Sequence, residues 1–362
     1  MLAHEDVASW LLETGLLGPE AVLDGDLAIR DASSRNRNFR VETRDGQGYL
    51  LKQGLTEEAV ATVAHEASVY HQLSQGNSGL NGHIPRFFGY DPTSGVLALE
   101  LVRDAEDLRT VHLTTGRFSA GPAAILGQAL GRLHRTPGMP AGEAAAAPAP
   151  WILWVHRPDA RVFRDISAAG LELIRIVQGS AGFPDALDEL RADWAPSTLI
   201  HGDVKWDNCL VSLSDDGREE LRLVDWESAS GGDPAWDIGS ALSHYLSFWL
   251  FSIPVTGAEP PERFPELAQY PLDAMKPALA SCWIAYADAR GLAPAAAADE
   301  LVRAVRFAGA RLTQTAFEAA QMTQQLTSAL ILHLQLALNI LTRAEEATTA
   351  LLGIPLTTSR AA

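Results

Sequence analysis

Three polar side chains, Asp203, Asn208 and Asp225, stand at spacings that suit phosphoryl transfer. They share one stretch, residues 199–227: an apolar segment ending in His201-Gly202-Asp203, a short polar loop, then Asn208 leading into Cys209-Leu210-Val211. Asp215-Asp216-Gly217 marks a turn, and a second apolar run, Leu221 to Val224, delivers Asp225 at its end. The pattern predicts a hairpin that presents these groups from one rigid base. Moving a phosphoryl group onto a hydroxyl needs a carboxylate to orient the attacking oxygen, and further oxygens to hold Mg2+ against nucleotide phosphates. Asp203 suits the first task, accepting a hydrogen bond from the acceptor hydroxyl and then its proton. Asn208 and Asp225 are hard oxygen ligands suited to the second. His201 reads as a packed support for the loop. Lys205, two residues after Asp203, is placed to reach the γ-phosphate. Lysine is rare here: Lys52, Lys205 and Lys276 stand against twenty-five arginines. A compact ammonium at Lys52 suits the α- and β-phosphates of a nucleotide better than a forked guanidinium does.

The elements that must position these groups follow from pattern. Residues 5–17 predict a short amphipathic helix. Strand-like runs cover Leu27–Ala32, Phe39–Arg44 and Tyr49–Gln53, the last two joined by an Asp45-Gly46 turn, and Lys52 ends the third run. A helix is expected over Glu57–Ser74, carrying Glu66. Two further strand-like runs cover Ile84–Tyr90 and Gly95–Val102. From Arg103 the pattern turns helical, over Ala123–Arg135, Ala160–Gln178, Pro184–Trp194 and Leu301–Ala347. His134 reads as a core or cap histidine. Residues 137–150, rich in Ala and Pro, predict a loop. The run Tyr245–Gly257 is apolar and aromatic, which points first to core and second to a docking surface.

The five-residue step from Asp203 to Asn208, followed by a hairpin to Asp225, resembles the catalytic loop and metal-binding Asp of the protein-kinase-like superfamily. The His201-Gly202-Asp203 form, with Asp225-Trp226-Glu227 at the second strand, resembles the aminoglycoside and choline phosphotransferase branch. The likeness runs from about residue 27 to 245 and includes Leu130-Gly131-Arg132-Leu133-His134 and Gly232-Asp233-Pro234-Ala235-Trp236-Asp237. It implies an α+β, two-lobed protein-kinase-like fold: a small antiparallel-sheet lobe over residues 1–102 and a larger, mainly helical lobe over 103–362 carrying the catalytic loop. It further implies an ATP- and Mg2+-dependent phosphotransferase with Asp203, Lys205 and Asp237 catalytic or supporting. Ser33, Ser34, Asn36, Lys52, Glu66, Glu100 and Val102 would bind nucleotide, with Asn208 and Asp225 on the metal. In such enzymes the strand Lys pairs with a helix Glu, and the second acid of the Gly-Asp-Pro element braces the catalytic loop. Asp233 then reads as a turn or cap residue.

Two departures qualify the likeness. The turn after the first strand, residues 33–38, contains no glycine, so hydroxyl, amide and guanidinium donors would replace a glycine cradle. Lys205 stands where small-molecule phosphotransferases commonly have His and protein kinases have Lys. Beyond Ser240 the chain more loosely resembles the phosphotransferases of class V lanthipeptide pathways. There the acceptor is Ser or Thr of a ribosomal precursor peptide and a separate lyase completes dehydration.

The leading reading of the acceptor is therefore Ser or Thr of a precursor peptide, with a lyase partner or a homodimer; the alternative is a small hydroxylated metabolite or aminoglycoside. A nucleotide-binding scaffold without activity is the third reading. It predicts loss of an essential group, yet Lys52, Asp203, Asn208 and Asp225 are all present. A formal charge of -17 argues against a nucleic-acid partner. After residue 230 the balance is only mildly acidic, twelve acids against eight bases, which gives little support to a polycationic acceptor. Two cysteines, Cys209 and Cys282, are too few for a disulfide framework. The amino terminus shows no signal-peptide pattern and no apolar window is long enough for a membrane, so a cytoplasmic enzyme is expected.

Overall fold

The computed structural model of the chain describes residues 1–23, 25, 27–33, 35–44, 46–75, 79–135, 147–214, 216–254 and 260–356. The expected Asp45-Gly46 and Asp215-Asp216-Gly217 turns lie partly outside the described residues, as do Ser34 and most of the 137–150 segment. The chain divides into two compact units, one formed by residues 1–108 with 207–229, the other by 109–206 with 230–362.

The first unit is built on a five-stranded antiparallel sheet of β1 (Leu27–Asp31), β2 (Arg37–Thr43), β3 (Gly48–Gln53), β4 (Phe87–Asp91) and β5 (Val96–Glu100), in the order β1-β2-β3-β5-β4. Alternation sets its register. Phe39, Val41, Tyr49, Leu51, Val96 and Ala98 turn to one face, where Val7 and Leu11 of the helix Val7–Glu13 close a buried cluster. Lys52 sits opposite Asn38 on one side and Leu97 on the other, which fixes it in the middle of the sheet. The helix Glu57–Gln75 carries Glu66 on its buried side, with Val63, Ala67, Tyr70 and Leu73. The same unit holds a smaller sheet of β6 (Glu106–Asp107), β8 (Cys209–Leu213) and β9 (Glu219–Leu223). Here β8 and β9 form the expected antiparallel hairpin, Cys209 facing Leu223.

The second unit is helical apart from β7 (Thr198–Ile200), which pairs with β10 (Ser230–Gly232). The helices Ala120–Arg135 and Leu272–Arg290 lie unusually close: a Cβ on Gly127 would sit 2.0 Å from the Cys282 carbonyl oxygen, and one on Gly131 2.6 Å from that of Tyr286. The helix Pro234–Phe251 buries nearly its whole surface, including Tyr245, Leu246, Phe248, Trp249 and Leu250. The aromatic run is therefore core through Leu250, with Phe251 exposed. The long carboxy-terminal pattern resolves into two helices, Pro294–Ala320 and Ser328–Thr342, the second capped by the Thr327 hydroxyl accepting from the Leu330 N–H. The segment expected to be helical from Ala160 starts as a 3-10 turn, Ala160–Arg164, and becomes α-helix at Ala168–Gly179, where Ser167 supplies the cap. No described helix is long and apolar enough to cross a membrane.

Candidate active site

In the first unit two of the expected residues, Glu66 and Asp225, together with Glu227, gather around Lys52. Its Nζ lies 2.8 Å from Glu66 Oε2 and 2.9 Å from Asp225 Oδ1, with Glu227 Oε2 at 4.0 Å. Burial works against the ammonium, but Glu66 and then Asp225 outweigh it and raise the Lys52 pKa, so the group stays charged. Burial pushes the Glu66 carboxyl up against the pull of Lys52. Glu66 Oε1 also accepts from the Trp226 N–H at 3.3 Å, which ties the helix to the segment after β9.

Asp225 reaches Lys52 from a left-handed backbone, φ 66°. A non-glycine residue there is uncommon and costs on the order of 1 kcal/mol, an expense found most often at functional positions. Across the hairpin base the Val224 N–H donates to the Asn208 carbonyl at 3.0 Å. Asn208 and Asp225 thus leave the same end of one hairpin. An amide oxygen and a carboxylate on a fixed base are the hard-oxygen donors Mg2+ takes, the rest of its shell coming from water and phosphate.

The loop before β2 is tied down locally. The Ser33 N–H donates to Asp31 Oδ1 at 2.8 Å, and the Asn38 N–H donates to Ser33 Oγ at 3.2 Å. Asn36 is buried at 7 % exposure, and its Oδ1 has no hydrogen-bond partner. Arg35 reaches across to Glu227 at 3.4 Å. Glu100 Oε2 accepts from the Arg86 N–H at 2.9 Å, and Val102, just beyond β5, is half-buried.

In the second unit Asp203, Lys205 and Asp237 come together with Arg311, which the sequence did not single out. Gly202 has φ +79°, a backbone that a Cβ would strain, which explains Gly between His201 and Asp203. The loop is braced by Asp237, fully buried, whose Oδ2 accepts from the His201 N–H at 2.7 Å and Oδ1 from the Gly202 N–H at 3.0 Å. His134 Nε2 lies 3.2 Å from the same Oδ2 and its Nδ1 3.2 Å from the Tyr286 hydroxyl, so this core histidine holds the brace. Asp233 caps the helix that carries Asp237, accepting from the Ala235 N–H, and pairs with Arg303.

Asp203 Oδ2 receives the Lys205 ammonium at 2.6 Å, while Oδ1 faces the Arg311 guanidinium at 3.7 Å. Burial pushes the Asp203 carboxyl up, but Lys205 and then Arg311 outweigh it and hold it below the usual carboxylate range. Arg311 is 4 % exposed and stacks over the Trp236 ring at 5.4 Å. Nothing local flags Arg311, because it lies on the helix Pro294–Ala320, far along the chain from the catalytic-loop pattern. Glu227 was visible only as the third letter of Asp-Trp-Glu.

The phosphotransferase enzyme family, APH, matches residues 28–270. None of the curated proteins matches the sequence significantly. Among solved structures, amicoumacin kinase hAmiN in complex with AMP-PNP, Ca2+ and Ami superposes with a TM-score of 0.54 at 14% identity, over 98% of this chain and 95% of that one. That similarity establishes the fold as the two-part α+β arrangement of protein-kinase-like phosphotransferases. A choline/ethanolamine kinase family protein from Mesorhizobium loti is 16% identical, with a TM-score of 0.47 over 94% of this chain and 96% of that one. The macrolide 2'-phosphotransferase MphH from Brachybacterium faecium is 19% identical, with a TM-score of 0.46 over 90% and 98%.

Proposed function

The chain belongs to the phosphotransferase enzyme family, and we propose that it moves the γ-phosphoryl group of ATP onto a hydroxyl group with Mg2+. The observation that carries this is Lys52, buried and bracketed at 2.8 and 2.9 Å by Glu66 and Asp225. A cation held by two carboxylates in the middle of a sheet is positioned for phosphates before they arrive, and positioning supplies most of phosphoryl-transfer catalysis. In functional terms residues 1–102, together with Asn208 and Asp225, serve the nucleotide, and the remainder of 103–362 serves the acceptor. The backbone of Glu100 to Val102 would take the adenine edge, and the polar loop with Ser33 and Asn36 would meet the phosphates.

Asn208 and Asp225 would hold Mg2+, which when bound would neutralise charge on the phosphate oxygens. Asp203 accepts the acceptor hydroxyl's hydrogen bond and then its proton. Its carboxyl, kept ionised by Lys205 and Arg311, is ready for that task at neutral pH. Lys205 is close enough to Asp203 to move between it and the γ-phosphate, and Asp237 keeps the loop in shape. Chain composition and helix lengths suit a cytoplasmic enzyme.

The acceptor we favour is a small hydroxylated molecule. A second reading rests on Lys205: a Ser or Thr of a ribosomal precursor peptide, whose phosphorylated product a separate lyase would consume. The experiment is transfer from labelled ATP with Mg2+, run on the intact chain and on Asp203→Ala. The substitution is expected to lower turnover by about 10^3-fold while leaving ATP affinity unchanged, because the nucleotide groups lie elsewhere. Near-normal turnover in Asp203→Ala would remove Asp203 from the reaction.

A further inference from the structure

A cavity of about 240 Å3 opens in the second unit immediately after the catalytic loop. Its walls include Arg109, Trp206, His244, Phe248, Phe251 and Tyr270. Trp206 directly follows Lys205, and His244 feels the charges of Arg311, Asp203, Arg109 and Lys205, so the cavity lies beside the carboxylate that would receive the acceptor proton. The rings form a continuous aromatic wall: Trp206 to Phe248 at 5.2 Å, and Phe248 to Tyr270 at 4.9 Å. Leu113, 49% exposed, and Phe251, 46% exposed, extend that wall to the rim.

The charges of the wall are one-sided. Among the described residues no carboxylate lines the cavity, and Arg109 brings a positive charge. A polycationic acceptor would meet one group that repels it, and the neighbouring Asp203 is already paired with Lys205 and Arg311. Two polar atoms of the wall residues stand out independently. Trp206 Nε1 and His244 Nε2 are buried without a hydrogen-bond partner. Burial, and then Arg311, push the His244 imidazole down to about 3, so the ring is neutral at physiological pH. Unpaired buried polar atoms are costly, and where they cluster at a cavity a ligand group that reaches them repays the cost.

We infer that this cavity is the acceptor pocket, and that it takes a small neutral or anionic molecule presenting a flat ring with a hydroxyl, not a polycationic aminoglycoside. This rests on the phosphotransferase reading above. The hydroxyl oxygen bonds to the γ-phosphorus as the bond from that phosphorus to the bridging oxygen breaks. ADP leaves with the electron pair, and the hydroxyl proton goes to Asp203. The ring stacks against Tyr270, and an anionic substituent meets Arg109.

The test uses the intact chain with labelled ATP and Mg2+ and three probes: tyrosol, kanamycin and a Ser/Thr-rich peptide. ATP binding is measured separately by calorimetry. Label on tyrosol, absent from kanamycin and peptide, is the expected result. Tyr270→Ala should raise the tyrosol KM by about tenfold through loss of the stacked ring. Arg109→Glu, a change at an exposed side chain that leaves the fold intact, should let kanamycin compete for the pocket without altering ATP affinity. Label on kanamycin or peptide in the unaltered chain, insensitive to both substitutions, would overturn the inference, as would tyrosol that neither accepts label nor competes. In each of those cases intact ATP binding would leave the phosphotransferase reading standing; loss of ATP binding would remove that reading instead.

Discussion

Lys52 shows how one residue can serve both architecture and chemistry. Its ammonium is 11% exposed and shares two carboxylates, Glu66 being only 2% exposed. Removing the cation leaves Glu66 buried against Asp225 with nothing to offset either charge. Lys52→Met is therefore expected to lower stability by about 3 kcal/mol, the cost of breaking a buried pair from one side. The double change Lys52→Met with Glu66→Leu should recover most of that loss, since it removes the stranded charge as well. Denaturant midpoints of the two variants compare the effects directly. A single variant as stable as the unaltered chain would mean that the pair contributes nothing to folding. Asp203 is the counterpart in the second unit, a carboxylate kept ionised by Lys205 and Arg311, and its role is chemical more than structural.

Elements decide where such residues can stand. The catalytic loop is held by Asp237, whose two oxygens take the N–H groups of His201 and Gly202. Asp237→Ala strands both donors in a buried site, and should cost about 2–4 kcal/mol with a fall in kcat and little change in the KM for ATP. Asp237→Asn, which keeps one acceptor, should fall between. Steady-state kinetics with thermal melts read both effects, and a KM change alone would contradict the brace. Helix packing gives a second case. Gly127→Ala drives a methyl group to within 2.0 Å of the Cys282 carbonyl oxygen, so the helices Ala120–Arg135 and Leu272–Arg290 must separate. The expected loss is about 2 kcal/mol by chemical denaturation, despite the better helix propensity of alanine; a stabilised variant would show that the helices can part freely.

The elements were also the most legible part of the sequence. Alternation in Phe39–Val41 and Tyr49–Leu51 marks half-buried strands, and the short hairpin β8–β9 announces itself by apolar runs flanking a turn. Asp203, Asn208 and Asp225 could be read because the chain keeps them within one stretch. Arg311, His244 and Tyr270 could not, since each reaches its neighbourhood through helix packing that no local pattern encodes. His134 read correctly as a core histidine, but its hold on Asp237 depends on a partner 103 residues away. The helices expected over Leu301–Ala347 are present, and the break between them falls where Thr327 caps the second.

At the scale of the molecule, stability should depend on acidity through a buried histidine. His333 is fully buried, its Nδ1 2.7 Å from the Ala329 carbonyl and its Nε2 3.0 Å from the Ser247 hydroxyl. Burial pushes its pKa down to about 4. The unfolded chain takes up this proton near 6.5, whereas the folded chain resists it until about 4. Between those values the unfolded state binds more protons, so stability falls as pH falls, by on the order of 1 kcal/mol per unit. Thermal melts at pH 7 and 5 should show the loss, and His333→Gln should flatten it. An unchanged slope in that variant would assign the acid sensitivity to other groups.

The first unit is made from two separate segments, residues 1–108 and 207–229. On the ribosome, roughly 5 to 20 seconds pass between the two at ordinary rates of synthesis. The five-stranded sheet emerges with Lys52 and Glu66 in place while Asp225 is still untranslated. The charge cluster around Lys52 is thus completed late, after the first helices of the second unit have been made, and a nascent chain stalled before residue 225 carries an ammonium still waiting for its second carboxylate.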